Sequence, residues 1–319
     1  MKSFLKWFGA VSLTILLSSC GGNSHDDNGD LAEVAQNNGF TALLAAVDKA
    51  GISSTLTAEN ADLTLFAPTD AAFGALATQL GFANVGAMVT ALSASDLSKI
   101  LSYHVVPGAR SAADLKTAGA TLSTAYSFDG AAATLALNTS TGVAITDAVL
   151  TTANVTTADV HASNGVVHGI EKVLVPPGVL NVVQMAQANP ASFSSLVAAV
   201  VATGLAPTLS RTGPLTVFAP TNAAFASAPT GLTTSQLTSV LTYHVLPAQV
   251  LSSGIPFGTP VATLDTKTLG GATVPAQTIT INSNLTITDT TAIPGNILAT
   301  DVRASNGVIH VIGKVLIPN

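Results

Sequence analysis

Charge is scarce in this chain: Asp, Glu, Lys and Arg make up only 9% of its 319 residues, against about 25% in an ordinary soluble domain. Aromatic residues are also few, at 5%. Hydrophobic residues nevertheless make up 48% of the chain, which excludes an intrinsically disordered chain, because such chains have low hydrophobicity. After the N-terminal segment, no uninterrupted apolar run approaches the roughly 20 residues of a membrane-spanning helix. A polytopic membrane protein is therefore excluded, although the mean hydropathy is +0.52.

Cysteine is nearly absent as well. The single residue, Cys20, excludes a disulfide scaffold and a zinc site built from several cysteines. The net charge is −6 and the 11 basic residues are scattered, so no basic cluster for nucleic acid is present. No His-x-His or His-Glu-x-x-His metal motif, Gly-x-Ser-x-Gly elbow or glycine-rich phosphate loop occurs. We therefore expect no metal, no cofactor, no catalytic residue and no enzymatic activity.

The first 20 residues predict export and lipid attachment. Two lysines precede an apolar stretch at residues 7–17, which is too short to span a membrane and has the pattern of a secretory signal. It ends in Leu-Ser-Ser-Cys, which resembles the bacterial lipobox, where cleavage precedes a cysteine that carries lipid. We predict a signal peptide at 1–19, lipid on Cys20 and a flexible tether at 20–30. The alternative is an ordinary secretory signal with an incidental cysteine.

The residues after Cys20 suggest a location. Gly21 and Gly22 follow it with no aspartate beside it, which resembles an outer-membrane sorting signal of Gram-negative bacteria. We therefore expect the protein in the cell envelope, at the outer membrane or the cell surface, with the membrane as its lipid-mediated partner.

The rest of the chain consists of two copies of one sequence unit. Three motifs recur in the same order, at offsets of 152, 140 and 142 residues, so loops differ in length between the copies. The period matches whole domains rather than solenoid repeats, and we predict domains at 31–176 and 178–319, each with its own core. The motif pairs are LTLFAPTDAAF (63–73) with LTVFAPTNAAF (215–225), LSASDLSKILSYHVVPG (92–108) with LTTSQLTSVLTYHVLPA (232–248), and DVHASNGVVHGIEKVLVPP (159–177) with DVRASNGVIHVIGKVLIPN (301–319).

Each unit reads as helices followed by strands. Thr233 with Gln236 forms a capping box before an apolar run, and Ser93 with Asp96 is a weaker version. These signals predict helices over about 94–102 and 234–242. Alternating residues predict strands, and the Asn-Gly pairs at 164–165 and 306–307 predict hairpins with type I′ turns. The predicted fold class is α+β, with a helical half packed on a β half. The strand segments are Thr134–Leu137, Thr278–Ile281 and Leu285–Thr288.

These motifs resemble those of the fasciclin (FAS1) domain family, in two tandem copies that cover nearly all of 31–319. The resemblance implies a compact fold with a twisted β-sheet or β-wedge flanked by helices. It also implies adhesion or matrix roles outside the cell or in the envelope, with no general catalytic activity. The sequence departs from the family pattern after the Ile of the third motif, where Asp is usual. Glu171 and Gly313 stand there, so the second copy lacks a carboxylate for an ionic role at this place.

The resemblance also implies contact residues, in the Tyr-His segment and in the Asn-Gly hairpin. Each of these residues has a competing folding role, because a buried histidine whose ring nitrogens are hydrogen-bonded is common. The candidate partner-binding residues are Tyr103, His104, Asn164, His168, Tyr243, His244, Asn306 and His310.

Two further positions of the first motif invite a structural prediction. Asp70 and Asn222 are expected to cap the helix that follows each of them and to reach the histidine of the Tyr-His pair. The phenylalanines of the motif are expected in the core, with a ligand groove as the alternative. They are Phe66, Phe73, Phe218 and Phe225.

The leading functional hypothesis is a lipid-anchored envelope protein that adheres to a protein or polysaccharide surface through its two modules. Residues 31–177 sum to −6, whereas residues 178–319 sum to +1. The weakly charged second module has little long-range repulsion from an anionic surface, so we expect it to meet the partner. The alternative is an envelope lipoprotein that binds a small ligand or glycan; a hydrolytic enzyme is disfavoured. No pattern indicates an oligomeric state.

Overall fold

The computed structural model describes residues 28–266, 268–269, 272–273 and 277–319. The predicted signal peptide, the lipid site at Cys20 and most of the tether lie outside these residues. No helix of the described ranges combines the length and the apolar character that crossing a membrane requires.

The first domain packs helices on one seven-stranded sheet. The strand order is β2-β1-β7-β6-β5-β4-β3, and every neighbouring pair is antiparallel except β1 with β7, which is parallel. The helices are α1 (Leu31–Asn37), α2 (Thr41–Ala50), α3 (Ser53–Leu56), α4 (Asp70–Gln79), α5 (Val85–Ala91), α6 (Ala94–Tyr103) and α7 (Ala112–Thr117). The strands are β1 (Leu63–Pro68), β2 (Val105–Pro107), β3 (Thr121–Phe128), β4 (Ala131–Asn138), β5 (Ala144–Thr146), β6 (Thr152–Ala162) and β7 (Gly165–Ile170).

The second domain repeats this topology in a sheet of order β10-β13-β14-β15-β16-β8-β9. The α+β fold in tandem is thereby confirmed. The helices are α8 (Val182–Ala188), α9 (Pro190–Ala202), α10 (Ala206–Leu209), α11 (Asn222–Ala226) and α12 (Thr234–Tyr243). The strands are β8 (Leu215–Pro220), β9 (Val245–Leu246), β10 (Pro260–Ala262), β11 (Thr268–Leu269), β12 (Ala272–Thr273), β13 (Thr278–Ile281), β14 (Thr286–Thr288), β15 (Gly295–Ala304) and β16 (Gly307–Ile312), and β11 pairs with β12 as a separate hairpin.

The fall in the motif offset from 152 to 140 has a structural cause. The first domain places α5 between α4 and α6, whereas residues 227–233 of the second domain connect α11 directly to α12. Helix α11 is also half the length of α4.

The two helices predicted from capping signals are confirmed as α6 and α12, each one residue longer than expected. Thr233 and Gln236 form the full reciprocal capping box. At α6 the Ser93 hydroxyl accepts from the Asp96 N–H, but the shorter carboxylate of Asp96 accepts from that hydroxyl and not from the Ser93 backbone. The box formed by Ser93 and Asp96 is therefore incomplete, as predicted.

The predicted strands and hairpins form, but the predicted type I′ turns are wrong. Ala162 pairs with Gly165 across the β6–β7 turn, and Asn164 does not adopt a positive φ. The glycine is required for another reason: a Cβ at Gly165 would collide with the carbonyl oxygen of Leu63 on β1. The second domain has the same contact, between Gly307 and Leu215 on β8.

The helix-side cores of the two domains are continuous, contrary to the expectation of separate cores. Leu76 of α4 and Ala188 of α8 belong to one buried cluster that also holds residues of both sheets, and α4 packs against α8. The β-side cores stay separate. At the junction, Arg303 pairs with Asp129 at 2.7 Å and lies over the Phe128 ring at 5.1 Å, so the two domains meet through defined contacts.

Candidate partner-binding surface

The Tyr-His pair ties the end of α6 to the strands around it. The Tyr103 hydroxyl donates to the Thr134 carbonyl at 2.9 Å. The Leu174 N–H donates to Nε2 of His104 at 2.9 Å, so the ring proton lies on Nδ1, which donates to the Ile100 carbonyl at 2.7 Å. The second domain repeats this arrangement around Tyr243 and His244 with the same distances.

Both of these histidines are neutral inside the protein. Burial lowers the pKa of His104 and of His244 to about 4, against a smaller opposing effect of the hydrogen bond to the helix carbonyl. Both ring nitrogens of each histidine are hydrogen-bonded and both side chains are buried. Each histidine therefore has a structural role, in which it connects the end of its helix to the segment that follows the hairpin.

The hairpin histidines have equivalent roles. The Asp159 N–H donates to Nδ1 of His168 at 3.2 Å, so Nε2 donates to the Arg110 carbonyl at 2.8 Å. The ring stacks on Phe66 at a centroid distance of 5.7 Å. The second domain repeats these contacts around His310, which stacks on Phe218 at 5.5 Å.

The hairpin asparagines hold the N-terminal helices of each domain. Asn164 accepts from the Leu31 N–H at 2.9 Å and donates to the carbonyls of Leu56 and Ala58 at 2.7 and 3.1 Å. Asn306 makes the matching bonds to Val182, Leu209 and Arg211. Each amide thus joins a turn between two interior strands of the sheet to two helical segments far away in sequence.

The burial of these motif residues favours the competing folding role over contact with a partner. Each side chain is occupied by the internal bonds described above, so none is available to an external protein or polysaccharide while the domain is folded. The competing interpretation, a folding role, accounts for the arrangement. The exposed fraction is 0–9% for all eight: Tyr103, His104, Asn164, His168, Tyr243, His244, Asn306 and His310.

The prediction that Asp70 and Asn222 cap the helices that follow them is wrong. Thr69 and Thr221 are the capping residues: their hydroxyl oxygens accept from the N–H of the third residue of each helix, Ala72 and Ala224. Asp70 instead accepts from the Ala42 N–H at 2.8 Å and from the Thr41 hydroxyl, so it holds the start of α2. It does not reach His104, whose nitrogens are already bonded to backbone.

Asn222 performs the same task at the start of α9. Its carbonyl oxygen accepts from the Ser195 N–H at 2.9 Å, and its amide donates to the Ala191 carbonyl at 2.9 Å. Asp and Asn are interchangeable at this position because the shared contact is acceptance of one backbone N–H. Of the four motif phenylalanines, three are buried and Phe225 is partly buried against the core.

Surface apolar residues, which the sequence analysis missed, concentrate in the β half of the second domain. Leu298 of β15 is 59% exposed and lies beside Gly313, at 3.7 Å from the position that a Cβ on this glycine would take. The carbonyl of Leu285, which is also exposed, accepts from the N–H of Ile297, next to Leu298. We call Leu285 and Leu298 the distal patch. The other large exposed apolar residues of this half are Phe257 and Ile293.

The first domain has no such patch at the equivalent positions. Thr156 stands in place of Leu298 and donates to the Gly169 carbonyl, while Val143, in place of Leu285, is only 8% exposed. Glu171 stands in place of Gly313 and accepts from the backbone and side-chain amides of Asn154. The departure from the family pattern at Gly313 therefore removes a charged side chain beside Leu298.

One internal cavity of the second domain is too small for the ligand of the small-ligand alternative. The cavity lies between α8, α9, β8 and α12, has apolar walls and a volume of about 30 Å³. Such a volume holds about one water molecule, whereas ligand pockets measure roughly 300–1,000 Å³. A second, open groove of the same domain, lined by α12 and by residues 264–266 and 317–319, measures about 730 Å³ and lies within that range.

The repeated α+β domains with buried Tyr-His and Asn-Gly motifs define a tandem module. The family comparison agrees: the Fasciclin domain matches residues 38–176 and 191–318, and the chain belongs to this family. The chain is similar to protein sll1483 of Synechocystis sp., with 37% identity over 147 residues, 44% of this chain and 74% of that protein. It is also 35% identical over 168 residues, 51% of this chain, to the transforming growth factor-beta-induced protein ig-h3 of Oryctolagus cuniculus, of which it spans only 23%.

A solved structure is similar as well. A FAS1 domain pair from the insect cell adhesion molecule fasciclin I matches over 90% of this chain and 95% of that one, with 18% identity and a TM-score of 0.42.

Proposed function

We propose that this protein is a non-catalytic adhesion protein of the cell envelope that binds a protein or polysaccharide surface through the distal patch of its second domain. The observation that carries the proposal is the exposure of Leu285 and Leu298 where the first domain has buried or hydrogen-bonded residues. Membership of the fasciclin family supports an adhesion or matrix role. Burying the exposed apolar groups of the patch is favourable. A domain with net charge +1 adds little long-range repulsion from a neutral or anionic surface.

The patch predicts a specific loss of adhesion. Replacing Leu298 by Asp is expected to weaken attachment about tenfold or more, because burying an unpaired carboxylate in an apolar contact is costly. The measurement is attachment of cells that produce the full chain to surfaces coated with envelope or matrix material. Val201→Asp is the matched control, since Val201 is 63% exposed on α9, away from the patch. Wild-type attachment by the Leu298→Asp strain would contradict the role of the patch.

We also propose that lipid on Cys20 anchors the chain, which the lipobox-like sequence supports. Cys20→Ser is expected to abolish incorporation of radiolabelled fatty acid and to move the protein from the membrane fraction to the soluble fraction, because no other thiol exists for acylation. Ser19→Thr, which keeps the cysteine, is the control. Retention of label in Cys20→Ser would rule out this site.

A further inference from the structure

One face of the first domain is covered by the second domain. The Asn189 side-chain amide donates to the Val149 carbonyl at 2.9 Å. Thr151 and Val175 of the first domain line the same groove as Ala188, at the end of α8. We call the loop 147–151 with the segment 172–175 the docking face of domain 1.

The second domain carries an equivalent face, related by an offset of 142 residues. Asp147 accepts from the Val175 N–H at 2.9 Å, and Asp289 accepts from the Ile317 N–H at the same distance. This match places Ile293 where the first domain has Thr151. At this position the described chain leaves the second face uncovered, because Ile293 is 72% exposed.

Apolar residues surround this uncovered face. A small buried cluster of Ala224, Val240 and Val315 lies beneath it. The residues packed on that cluster remain partly exposed: Phe225, Ala228, Leu232 and Ile317. The face is therefore apolar enough to be stabilised by a docked helix end.

The first domain has the complementary element. Helix α1 is the counterpart of α8, because Leu31 and Val182 both donate their N–H to the hairpin asparagine. In α8 the last residues are buried against the first domain, but Asn37, the counterpart of Ala188, is exposed. Among the described residues, the face around Ile293 in domain 2 and the end of α1 in domain 1 are thus both uncovered.

We propose that copies of this chain associate head to tail, with the end of α1 in one copy docked on the face around Ile293 in another. The interface repeats a contact that already joins the two domains within each chain. Because the two surfaces differ, the contact is heterologous and adds copies in a row rather than closing a dimer. The net charges, −6 on domain 1 and +1 on domain 2, place no like-charge repulsion across it.

Cross-linking in purified protein tests the proposal without any adhesion partner, so its outcome is independent of the proposed function. The full chain carries Cys20→Ser, which leaves no native thiol, together with Asn37→Cys and Ile293→Cys, and is treated with a short bis-maleimide. The expected result is a ladder of dimers, trimers and larger species. The control pair, Asn37→Cys with Ser283→Cys, places the second cysteine at an exposed position of the β13–β14 turn and should give no ladder above background.

Sedimentation supplies a second readout. The full chain with Cys20→Ser is expected to show a mass that rises with protein concentration. Adding Ile293→Asp is expected to lower the association constant at least tenfold. Adding Val201→Asp is expected to leave the association constant unchanged. Circular dichroism checks that each variant is folded. Equal cross-linking by both cysteine pairs, or a monomer at every concentration, overturns the proposal.

Discussion

Acidification from pH 7 to 4.5 is expected to destabilise the second domain more than the first. His104 and His244 each have a pKa lowered to about 4 by burial, against about 6.5 in the unfolded chain. The stabilising free energy that each neutral histidine contributes to the folded state is therefore fully present above pH 6.5 and is lost as the pH falls towards 4. By linkage the loss is about 3 kcal/mol per histidine.

An aspartate offsets this loss in the first domain alone. Burial raises the pKa of Asp147 to about 6, although three backbone N–H groups act in the opposite direction. A raised carboxyl pKa means that the fold carries a penalty above pH 6 that disappears as the pH falls towards 4. The relief at Asp147 and the loss at His104 are of similar size and opposite sign.

The equivalent aspartate of the second domain gives no such relief. Burial favours a higher pKa for Asp289, but hydrogen bonds from Lys314, Thr291 and the Ile317 N–H outweigh it and hold the pKa below its usual value. Its contribution is present above pH 4 and is lost only below that. Between pH 6.5 and 4 the loss of stabilising free energy at His244 is therefore not offset by Asp289.

Hydrogen exchange measured by mass spectrometry at pH 7 and 4.5 distinguishes the domains. Peptides from β8 and β16 should lose about 2 kcal/mol more protection than peptides from β1 and β7, after correction for intrinsic rates. Asp147→Asn is the control, because it removes the offset and should make the first domain as acid-sensitive as the second. Equal losses in the wild-type domains would show that the two aspartates do not differ in this way.

Local signals explain what could be predicted from the sequence. The caps of α6 and α12 and the alternation in β4 and β13 are decided by residues within a few positions of one another, and these elements form as expected. The tandem α+β organisation followed from repetition, which needs no knowledge of contacts.

Long-range contacts explain what could not. Asn164 bonds to Leu31, 133 residues away, and to Leu56, 108 residues away, so its turn geometry is set by tertiary structure rather than by the Asn-Gly preference. Asp70 likewise serves α2, 28 residues before it, instead of its own helix. The distal patch depends on the register that brings Gly313 beside Leu298, and no single-sequence periodicity carries that information.

Removal of one hairpin asparagine is expected to be among the most damaging single substitutions in the protein. Asn164→Ala deletes three hydrogen bonds and leaves the Leu31 N–H and the carbonyls of Leu56 and Ala58 without that partner. At roughly 1–3 kcal/mol for each buried polar group left unsatisfied, the expected loss is about 3–5 kcal/mol in the free energy of unfolding. Urea denaturation of the full chain measures it.

Two companion variants separate this role from a general effect of losing an asparagine. Asn138→Ala, on the exposed end of β4, should cost less than about 0.5 kcal/mol. Asn164→Asp keeps the acceptor for Leu31 but points an oxygen at two carbonyls, so it should be nearly as unstable as Asn164→Ala, although it differs from the wild type by one group. A mild effect of both Asn164 variants would mean that α1 and α3 are held by apolar packing, and that the amide is dispensable at this junction.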